Sequence, residues 1–314
     1  MHWLDRTRAL RLDPHEPDLE DKTYLVPCFE DLAPLVESVR WMGIINPPLL
    51  QDLPHRGLVP VLGRRRLQAA RQAGLHEVEA RTLPSEMPES DGFRIAFWDN
   101  LGQRLSNLAI KAVVVRRLLE LFPREVVAKD FLPILEIPPK GPRLERLATL
   151  GGLEFPVLEA LAAGRIQEKT ATILAGLRLQ DRGLVMELLE QLRLNANTSA
   201  EVVSNLYDLS VIEGKPVAEL IRGKLSQAIL FDTEIPARER AARFRQLIRS
   251  WKFPQLVARE QEFRAWLRGL TTNNRIEVRP APVFESEECT VEIRVRNRIE
   301  AENMVERIKG ADFQ

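Results

Sequence analysis

The sequence predicts an α+β protein with a mixed N-terminal domain, an all-helical middle and a small β-β-α unit at the C-terminal end. Three observations indicate this class. Apolar runs of strand length alternate with helical patterns from about residue 23 to 83. The chain from about 91 to 270 shows only helical patterns, broken by glycine and proline. The last forty residues alternate apolar and polar residues before an amphipathic helix, which predicts a small β-β-α unit.

The N-terminal part is predicted to contain a helix followed by a strand–turn–helix unit. Asp31 is placed to cap a helix whose apolar residues recur at helical spacing, and Gly43 ends it. The prolines of "INPPLL" favour an extended segment, and Pro60 confines the next strand, "GLVPVL", to a sheet edge or a strand end. A helix is predicted at about 65–73, and "EVEARTL" at 77–83 is a further strand.

The rest of the chain is predicted to be helical up to its small terminal unit. The segment 130–142 contains four prolines and a glycine, so it is a turn between helices or a linker. Five arginines at 237–250 follow a helical pattern, which is typical of a solvated helix face. A β-β-α unit of about forty residues has too little core to stand alone. Pairing with a second copy would supply one, so we expect a homodimer.

The composition excludes a globally basic protein. Lysine and arginine number 45, as do aspartate and glutamate, so any contact with nucleic acid must come from local patches. The terminal segment 275–314 has a net charge of −2, which favours dimerisation over DNA binding. Cys28 and Cys289 match no metal spacing and are expected to be reduced thiols. No signal peptide and no membrane span are expected.

The arginine run after Gly63 is a candidate anion site. A glycine between a strand and a helix lets a ligand approach the backbone closely, and a helix start offers unpaired N–H groups. Arg64, Arg65 and Arg66 add guanidinium groups suited to phosphate oxygens, and no acidic residue occurs within the run. On chemistry alone, a phosphate site and a solvated basic helix start are both open.

Three blocks of the sequence resemble, in order and spacing, the N-terminal domain of the ParB family of chromosome- and plasmid-partition proteins. They are "LAPLVESVRWMGIINPPLL", "GLVPVLGRRRLQAARQAGLHEVEA" and "FWDNLGQRLSNLAIKA". The family pattern there is roughly S-I-x-x-x-G-x-x-Q-P, then G-E-R-R-x-R-A, then E-N-x-Q-R. The segment "GRIQEKTATILAGL" at 164–177 and the terminal β-β-α unit resemble later parts of the family, so the resemblance covers most of the chain.

The resemblance implies a nucleotide site. ParB proteins bind CTP with Mg²⁺, read a centromere-like DNA site and close as homodimeric clamps around DNA. Here the nucleotide would be held by the residues that match the first two blocks: Gly43, Asn46, Pro47, Gly63, Arg64, Arg65 and Arg66. Asp99 and Asn100 stand where the family has Glu-Asn and would approach the metal. Asp99 is shorter than the family's glutamate, and Gly102 shifts Gln103-Arg104 by one position relative to the family's Gln-Arg, so we expect at most slow CTP hydrolysis.

The resemblance also implies a domain order and partners. It places an N-terminal tail at 1–22, a ParB- and sulfiredoxin-like nucleotide-binding domain at 23–95, a helical domain with a helix-turn-helix-like segment at 96–222, a helical connector at 223–270 and a β-β-α dimerisation unit at 271–314. Lys140, Arg143 and Arg146 are the candidate DNA contacts. DNA and a second copy are the implied partners, with a partition ATPase as a further candidate, in a cytoplasmic, nucleoid-associated protein.

Two other function classes stay open. One is a ParB-fold adaptor that binds proteins and has lost specific DNA reading, which the zero net charge and the few base-reading side chains of "LERLATL" favour. The other is an enzyme on the same N-terminal fold, such as a kinase or a nuclease. Sulfiredoxin chemistry is excluded because the turn at 63–66 holds no cysteine, and a metal nuclease would require more carboxylates than Asp99.

Overall fold

The computed structural model describes residues 3–101, 107–139, 142–269, 276–281 and 288–309. The chain forms two compact units, Met1–Ser204 and Asn205–Gln314. The α+β class predicted from the sequence is confirmed, because one small mixed sheet precedes a long series of helices. The domain boundaries predicted from the sequence stay predictions.

A four-stranded sheet lies near the N-terminus. Its strands are β1 (Arg8–Leu12), β2 (Leu49–Leu53), β3 (Gly57–Leu62) and β4 (Val78–Leu83), in the spatial order β1-β4-β2-β3. Strand β4 pairs antiparallel with β1 and parallel with β2, and β2 pairs antiparallel with β3. Pro60, which has no N–H to donate, lies in the edge strand β3, as predicted.

The first residues of the chain belong to this sheet. The sequence predicts a tail at 1–22, but Arg8–Leu12 forms β1, in which Leu10 lies opposite Ala80. Only Leu12 of this strand is fully buried, while Arg11 forms exposed ion pairs with glutamates near and in β4. The two strands are far apart in the sequence, and β1 is charged, so no local apolar pattern predicts their pairing.

Helices α1 (Ala33–Met42) and α2 (Arg64–Ala73) pack against each other and against the sheet. Their buried residues share a core with β2 and β4: Val36, Val39, Leu50, Leu67, Ala69, Ala70, Val78 and Ala80. The Asp31 carboxylate accepts a hydrogen bond from the Ala33 N–H at 3.1 Å, one residue before the cap position of α1. Helix α3 (Glu89–Asp99) follows β4.

Gly63 connects β3 to α2 in a conformation that favours glycine. Its φ is +82°, in the left-handed region. A Cβ atom at this position would lie 3.0 Å from the Pro48 Cα and 3.1 Å from the Arg66 guanidinium. Gly74 ends α2 with a φ of +77°, and a Cβ there would meet nothing within 4 Å. Both ends of α2 are therefore fixed by glycine, but only Gly63 is also required by close packing.

After α3, the chain forms a series of consecutive helices. They are α4 (Leu108–Leu121), α5 (Arg124–Val126), α6 (Arg143–Leu150), α7 (Phe155–Ala162), α8 (Glu168–Ala175), α9 (Leu179–Gln191) and α10 (Ala196–Glu213), with a π-helical turn at Val127–Phe131. Asn107 caps α4 by accepting a hydrogen bond from the Ala109 N–H at 3.0 Å. Gly151 lets α6 approach α4 closely, because a Cβ there would lie 2.2 Å from the Ala112 carbonyl oxygen.

The second unit contains four further helices before the terminal β-β-α element. They are α11 (Val217–Arg222), α12 (Lys224–Leu230), α13 (Ala237–Lys252) and α14 (Pro254–Gly269). An antiparallel pair, β5 (Ile276–Pro280) and β6 (Cys289–Ile293), then precedes α15 (Arg298–Lys309), in the predicted order. Across the described ranges, no helix combines the length and apolar character needed to cross a membrane.

Candidate functional site

A cavity of about 850 Å³ lies beside the start of α2. Its wall contains the end of β3, the turn Gly63–Arg66, much of the segment Leu19–Asp31, the end of α3, and Phe155 at the start of α7. All of these residues belong to the first compact unit. Pockets that hold small ligands commonly have volumes of about 300–1,000 Å³, so the cavity is large enough for one.

The start of α2 gives this wall a positive character. The first N–H groups of an α-helix have no carbonyl partner within the helix, and together they carry a partial positive charge. No side chain caps α2, because its cap residue is Gly63. The open helix start and the three arginines that follow therefore make the same wall attractive to an anion.

Arg64 is held by the N-terminal segment. Its guanidinium donates hydrogen bonds to the carbonyl oxygens of Leu19 and Asp21. Burial lowers the pKa of Arg64, and the nearby carboxylates of Asp21, Asp18 and Glu20 oppose that shift. This arginine fastens the chain before α1 to the start of α2, so it acts as a structural connection in this arrangement.

Arg65 and Arg66 reach two other segments. The Arg65 guanidinium donates to the Glu30 carboxylate and the Glu30 carbonyl, both at 3.1 Å, and to the Asp31 carbonyl at 2.5 Å. Its side chain is 19% exposed, whereas that of Glu30 is 70% exposed. Arg66 donates to the Asn46 carbonyl and lies 3.5 Å from the Pro47 carbonyl. The three neighbouring arginines thus bind three separate stretches of backbone.

These contacts correct one expectation from the sequence. The run lacks an acidic residue, which predicts unopposed positive charge, but Glu30 pairs with Arg65 and several carbonyl oxygens surround the other two guanidinium groups. Glu20, Asp31 and Asp99 also line the cavity. A sequence window around the turn cannot reveal acceptors that come from residues 20 to 45 positions away.

Asp99 and Asn100 lie in the same cavity wall as the arginine turn, at the end of α3. The Asp99 side chain is exposed, and the Asn100 amide donates to the Ala96 carbonyl at 2.7 Å. A helix end carries a partial negative charge, which suits a cation. The described residues contain no cluster of three or more histidine, cysteine or acidic side chains placed to hold a metal by themselves.

Gly43, Asn46 and Pro47 do not line the cavity. Gly43 ends α1 with a φ of +69°, and its N–H donates to the Val39 carbonyl at 2.8 Å. The carbonyl oxygens of Asn46 and Pro47 face the Arg66 guanidinium. The structure therefore brings together Gly63–Arg66, Asp99 and Asn100 in one wall, whereas Gly43, Asn46 and Pro47 are not part of it.

Tyr24, which no sequence pattern indicated, also lines the cavity. Its hydroxyl donates to the side-chain carbonyl of Gln51, and the Gln51 amide donates to the Met87 carbonyl at 2.8 Å. Burial raises the pKa of Tyr24 well above its ordinary value. Gly92 is required beside it, because a Cβ there would lie 2.5 Å from the tyrosine ring. A single tyrosine in an irregular segment offers no periodic signal that could have identified this contact.

The structure describes two of the three candidate DNA contacts. Lys140 lies outside the described residues. Arg143 and Arg146 are exposed on α6, whose leucines form its buried face. Arg146 lies 3.9 Å from Glu168, and Glu145 between the two arginines accepts a hydrogen bond from Arg124. That hydrogen bond lowers the pKa of Glu145.

Comparison with known proteins gives one curated relative. The chain is 42% identical over 73 residues to a probable plasmid-partitioning protein ParB from Thermus thermophilus, and the match covers 23% of this chain and 24% of that relative. The resemblance to the ParB family is confirmed for this stretch. Because the match spans about a quarter of the ParB protein, it carries no activity over to the whole chain. No protein-family model matches.

Two solved structures of the Caulobacter crescentus chromosome-partitioning protein ParB, both C-terminally truncated, are also similar. The one complexed with CTP-gamma-S is 21% identical, with 58% of this chain and 98% of that chain covered and a TM-score of 0.25. The one complexed to the centromeric parS site is 18% identical, with 62% and 98% covered and a TM-score of 0.30. With TM-scores below 0.5, neither likeness bears on the function of this chain.

Proposed function

We propose that this chain is a divergent, ParB-like DNA-binding protein whose N-terminal cavity binds a nucleoside triphosphate, CTP with Mg²⁺. The observation that carries the proposal is the meeting of the turn Gly63–Arg66 with Asp99 and Asn100 in one cavity wall. These residues come from the second and third blocks of the ParB-like pattern, which are separate in the sequence. The partial match to a plasmid-partitioning ParB supports the same function.

The donors of the cavity suit a triphosphate. Its negative charges would accept hydrogen bonds from the start of α2 and from Arg65 and Arg66, in exchange for the carbonyl oxygens that these arginines now bind. Guanidinium groups bind phosphate more strongly than neutral carbonyls, because the hydrogen bonds are charge-assisted at both ends. Arg64 is the least suited to this exchange, since its two hydrogen bonds to the Leu19 and Asp21 carbonyl oxygens hold the N-terminal segment in place.

The end of α3, which lines the same cavity, suits the metal. Mg²⁺ is commonly held by one or two protein oxygens together with phosphate oxygens and waters. Asp99 offers an exposed carboxylate and Asn100 lies next to it at the end of α3. A bound Mg²⁺ would neutralise phosphate charge. The protein residues would hold the metal only together with the nucleotide, which agrees with the absence of a complete acidic cluster among the described residues.

A calorimetric titration tests this proposal. Wild-type protein with Mg²⁺ is titrated with CTP, ATP, GTP and UTP, and we expect CTP to bind most tightly. Arg65→Ala or Arg66→Ala removes charge-assisted hydrogen bonds that stabilise the complex by about 1.5–3 kcal/mol, which weakens CTP binding about 10- to 100-fold. Arg64→Ala should lower the free energy of unfolding and change CTP affinity less. Wild-type protein that binds none of the four nucleotides would refute the proposal.

The terminal β-β-α element is proposed to join two copies of the chain into a clamp. Val291, Val295, Ile299 and Val305 are apolar and 38–70% exposed in a single copy. A two-stranded sheet with one helix buries little apolar surface alone, and a second copy would cover these side chains. DNA held between two such copies is the partner that the ParB resemblance implies.

A protein-binding adaptor is the second candidate function. The observation that favours it is that charged side chains of α6 already have partners within the protein: Arg146 lies near Glu168, and Glu145 is paired with Arg124. A helix that reads bases needs side chains that are available to base edges, and α6 offers few. A duplex DNA titration separates the two functions, because phosphate contacts make affinity depend on salt.

A further inference from the structure

Helices α13 and α14 concentrate positive charge in a chain whose net charge is zero. The segment 237–269 contains nine basic residues and three acidic ones, and eight of the nine are arginines. The sequence pattern alone is typical of a solvated helix face. The structure adds two observations that distinguish these helices from such a face: which arginines Glu239 and Glu260 bind, and which surface of α13 is buried.

The acids in this segment do not neutralise it. Glu239 accepts a hydrogen bond from Arg243 at 2.6 Å. Glu260 binds Arg249 through both carboxylate oxygens, at 2.6 and 2.8 Å, and also lies 3.9 Å from Arg264. One carboxylate therefore interacts with two guanidinium groups, so these three side chains together carry a net positive charge.

Further arginines are left at the surface. Arg238 and Arg268 are exposed, and neither forms an ion pair with an acid in the part of the chain that the structure describes. Arg264 is 69% exposed. Arg264 and Arg268 are also spaced four residues apart on α14, and like charges at this spacing slightly destabilise a helix. An anion bound beside both guanidinium groups would offset this repulsion.

The buried surface of α13 indicates what kind of anion fits. Its apolar residues Ala241, Phe244 and Ile248 lie within the protein core, so they are not available to enter a lipid bilayer as an interfacial helix would require. Arginine binds phosphate oxygens through two parallel hydrogen bonds, which lysine cannot do. A regular series of phosphates is the partner that several exposed arginines on two long helices can contact at once.

We propose that the exposed arginines of α13 and α14 form a second DNA-binding surface that contacts the phosphates of a DNA duplex without reading its sequence. This inference goes beyond the proposed function, because it requires neither the nucleotide cavity nor α6. It also assigns the phosphate contacts to a place other than the terminal β-β-α element, whose segment carries a net negative charge.

The test measures binding of the full chain to a fluorescent DNA duplex of random sequence, by anisotropy over a series of salt concentrations. The triple variant Arg238→Ala, Arg264→Ala, Arg268→Ala leaves the Arg249–Glu260 pair in place. Each lost phosphate contact reduces the slope of log affinity against log salt by about 0.9. We expect the slope to fall by up to about 2.7, and the affinity at low salt to fall at least about tenfold.

A matched control removes the same charge elsewhere. Arg6→Ala, Arg11→Ala and Arg40→Ala change three arginines that are 42%, 65% and 52% exposed, and we expect nearly wild-type affinity and slope. Lysine at the three test positions should keep the slope and lose only part of the affinity. Circular dichroism confirms that each variant is folded, and a CTP titration of the same samples reports on the nucleotide site separately.

Three results would overturn the proposal. The first is equal affinity and slope in the test and control triples. The second is no binding of the random duplex by the wild-type chain at low salt. The third is tighter binding of an RNA duplex, or of anionic vesicles, with the same loss in the test triple, because the partner would then not be DNA. None of these results depends on whether CTP binds.

Discussion

Gly63 offers the sharpest test of the turn, because Gly74 at the other end of α2 serves as its control. Both glycines have left-handed φ values, +82° and +77°, so alanine at either position costs about 1–2 kcal/mol of backbone strain. Only at Gly63 would the added Cβ also lie 3.0 Å from the Pro48 Cα and 3.1 Å from the Arg66 guanidinium. Crowding of this kind costs about 1–3 kcal/mol more.

The two variants should therefore differ in both stability and binding. Urea unfolding followed by circular dichroism should show that Gly63→Ala lowers the free energy of unfolding by about 2–5 kcal/mol, and Gly74→Ala by about 1–2 kcal/mol. Calorimetry should show at least tenfold weaker CTP binding for Gly63→Ala, because the new methyl group displaces Arg66 and occupies space beside the backbone. Gly74→Ala should bind CTP as wild type does. Equal CTP affinity in the two folded variants would refute the assignment of the ligand to this turn.

Three further predictions concern the helices and the assembly. Gly151→Ala should destabilise the protein by about 1–3 kcal/mol or more, because its Cβ would lie 2.2 Å from a backbone oxygen of α4. Gly183 lies at an exposed position in α9 with open space around it. Gly183→Ala should therefore stabilise the protein by about 0.5–1 kcal/mol in the same unfolding assay. Truncation after Leu270 should give monomers in sedimentation at micromolar concentration, and a dimer that survives would place the main contact elsewhere. Arg143→Ala with Arg146→Ala should reduce the slope of log DNA affinity against log salt by up to about one unit per lost contact, whereas an unchanged slope would favour the adaptor function.

The sequence predicted those parts of the fold whose signals are local. The strand before Gly63, the helix between two glycines and the edge position of Pro60 follow from residues within a few positions of each other. Strand β1 was not predicted, because its pairing with β4 joins residues about seventy positions apart and its pattern is dominated by arginine. The cavity could be anticipated only through the family resemblance. Its wall combines the start of α2 with the end of α3, and these two helices are separated in the sequence by β4.

The partners of the three arginines were beyond prediction for the same reason, and they change how the turn is understood. A run of three arginines suggests three equivalent phosphate ligands, but each guanidinium reaches a different stretch of backbone. Arg64 is enclosed and connects the N-terminal segment, so its loss would weaken the fold around the cavity. Arg65 and Arg66 bind segments at the ends of α1, so a phosphate that takes over their hydrogen bonds would also release those segments. Binding at this turn is therefore coupled to the position of the chain on both sides of α1, and the arginines differ in role because of what surrounds them and not because of their chemistry.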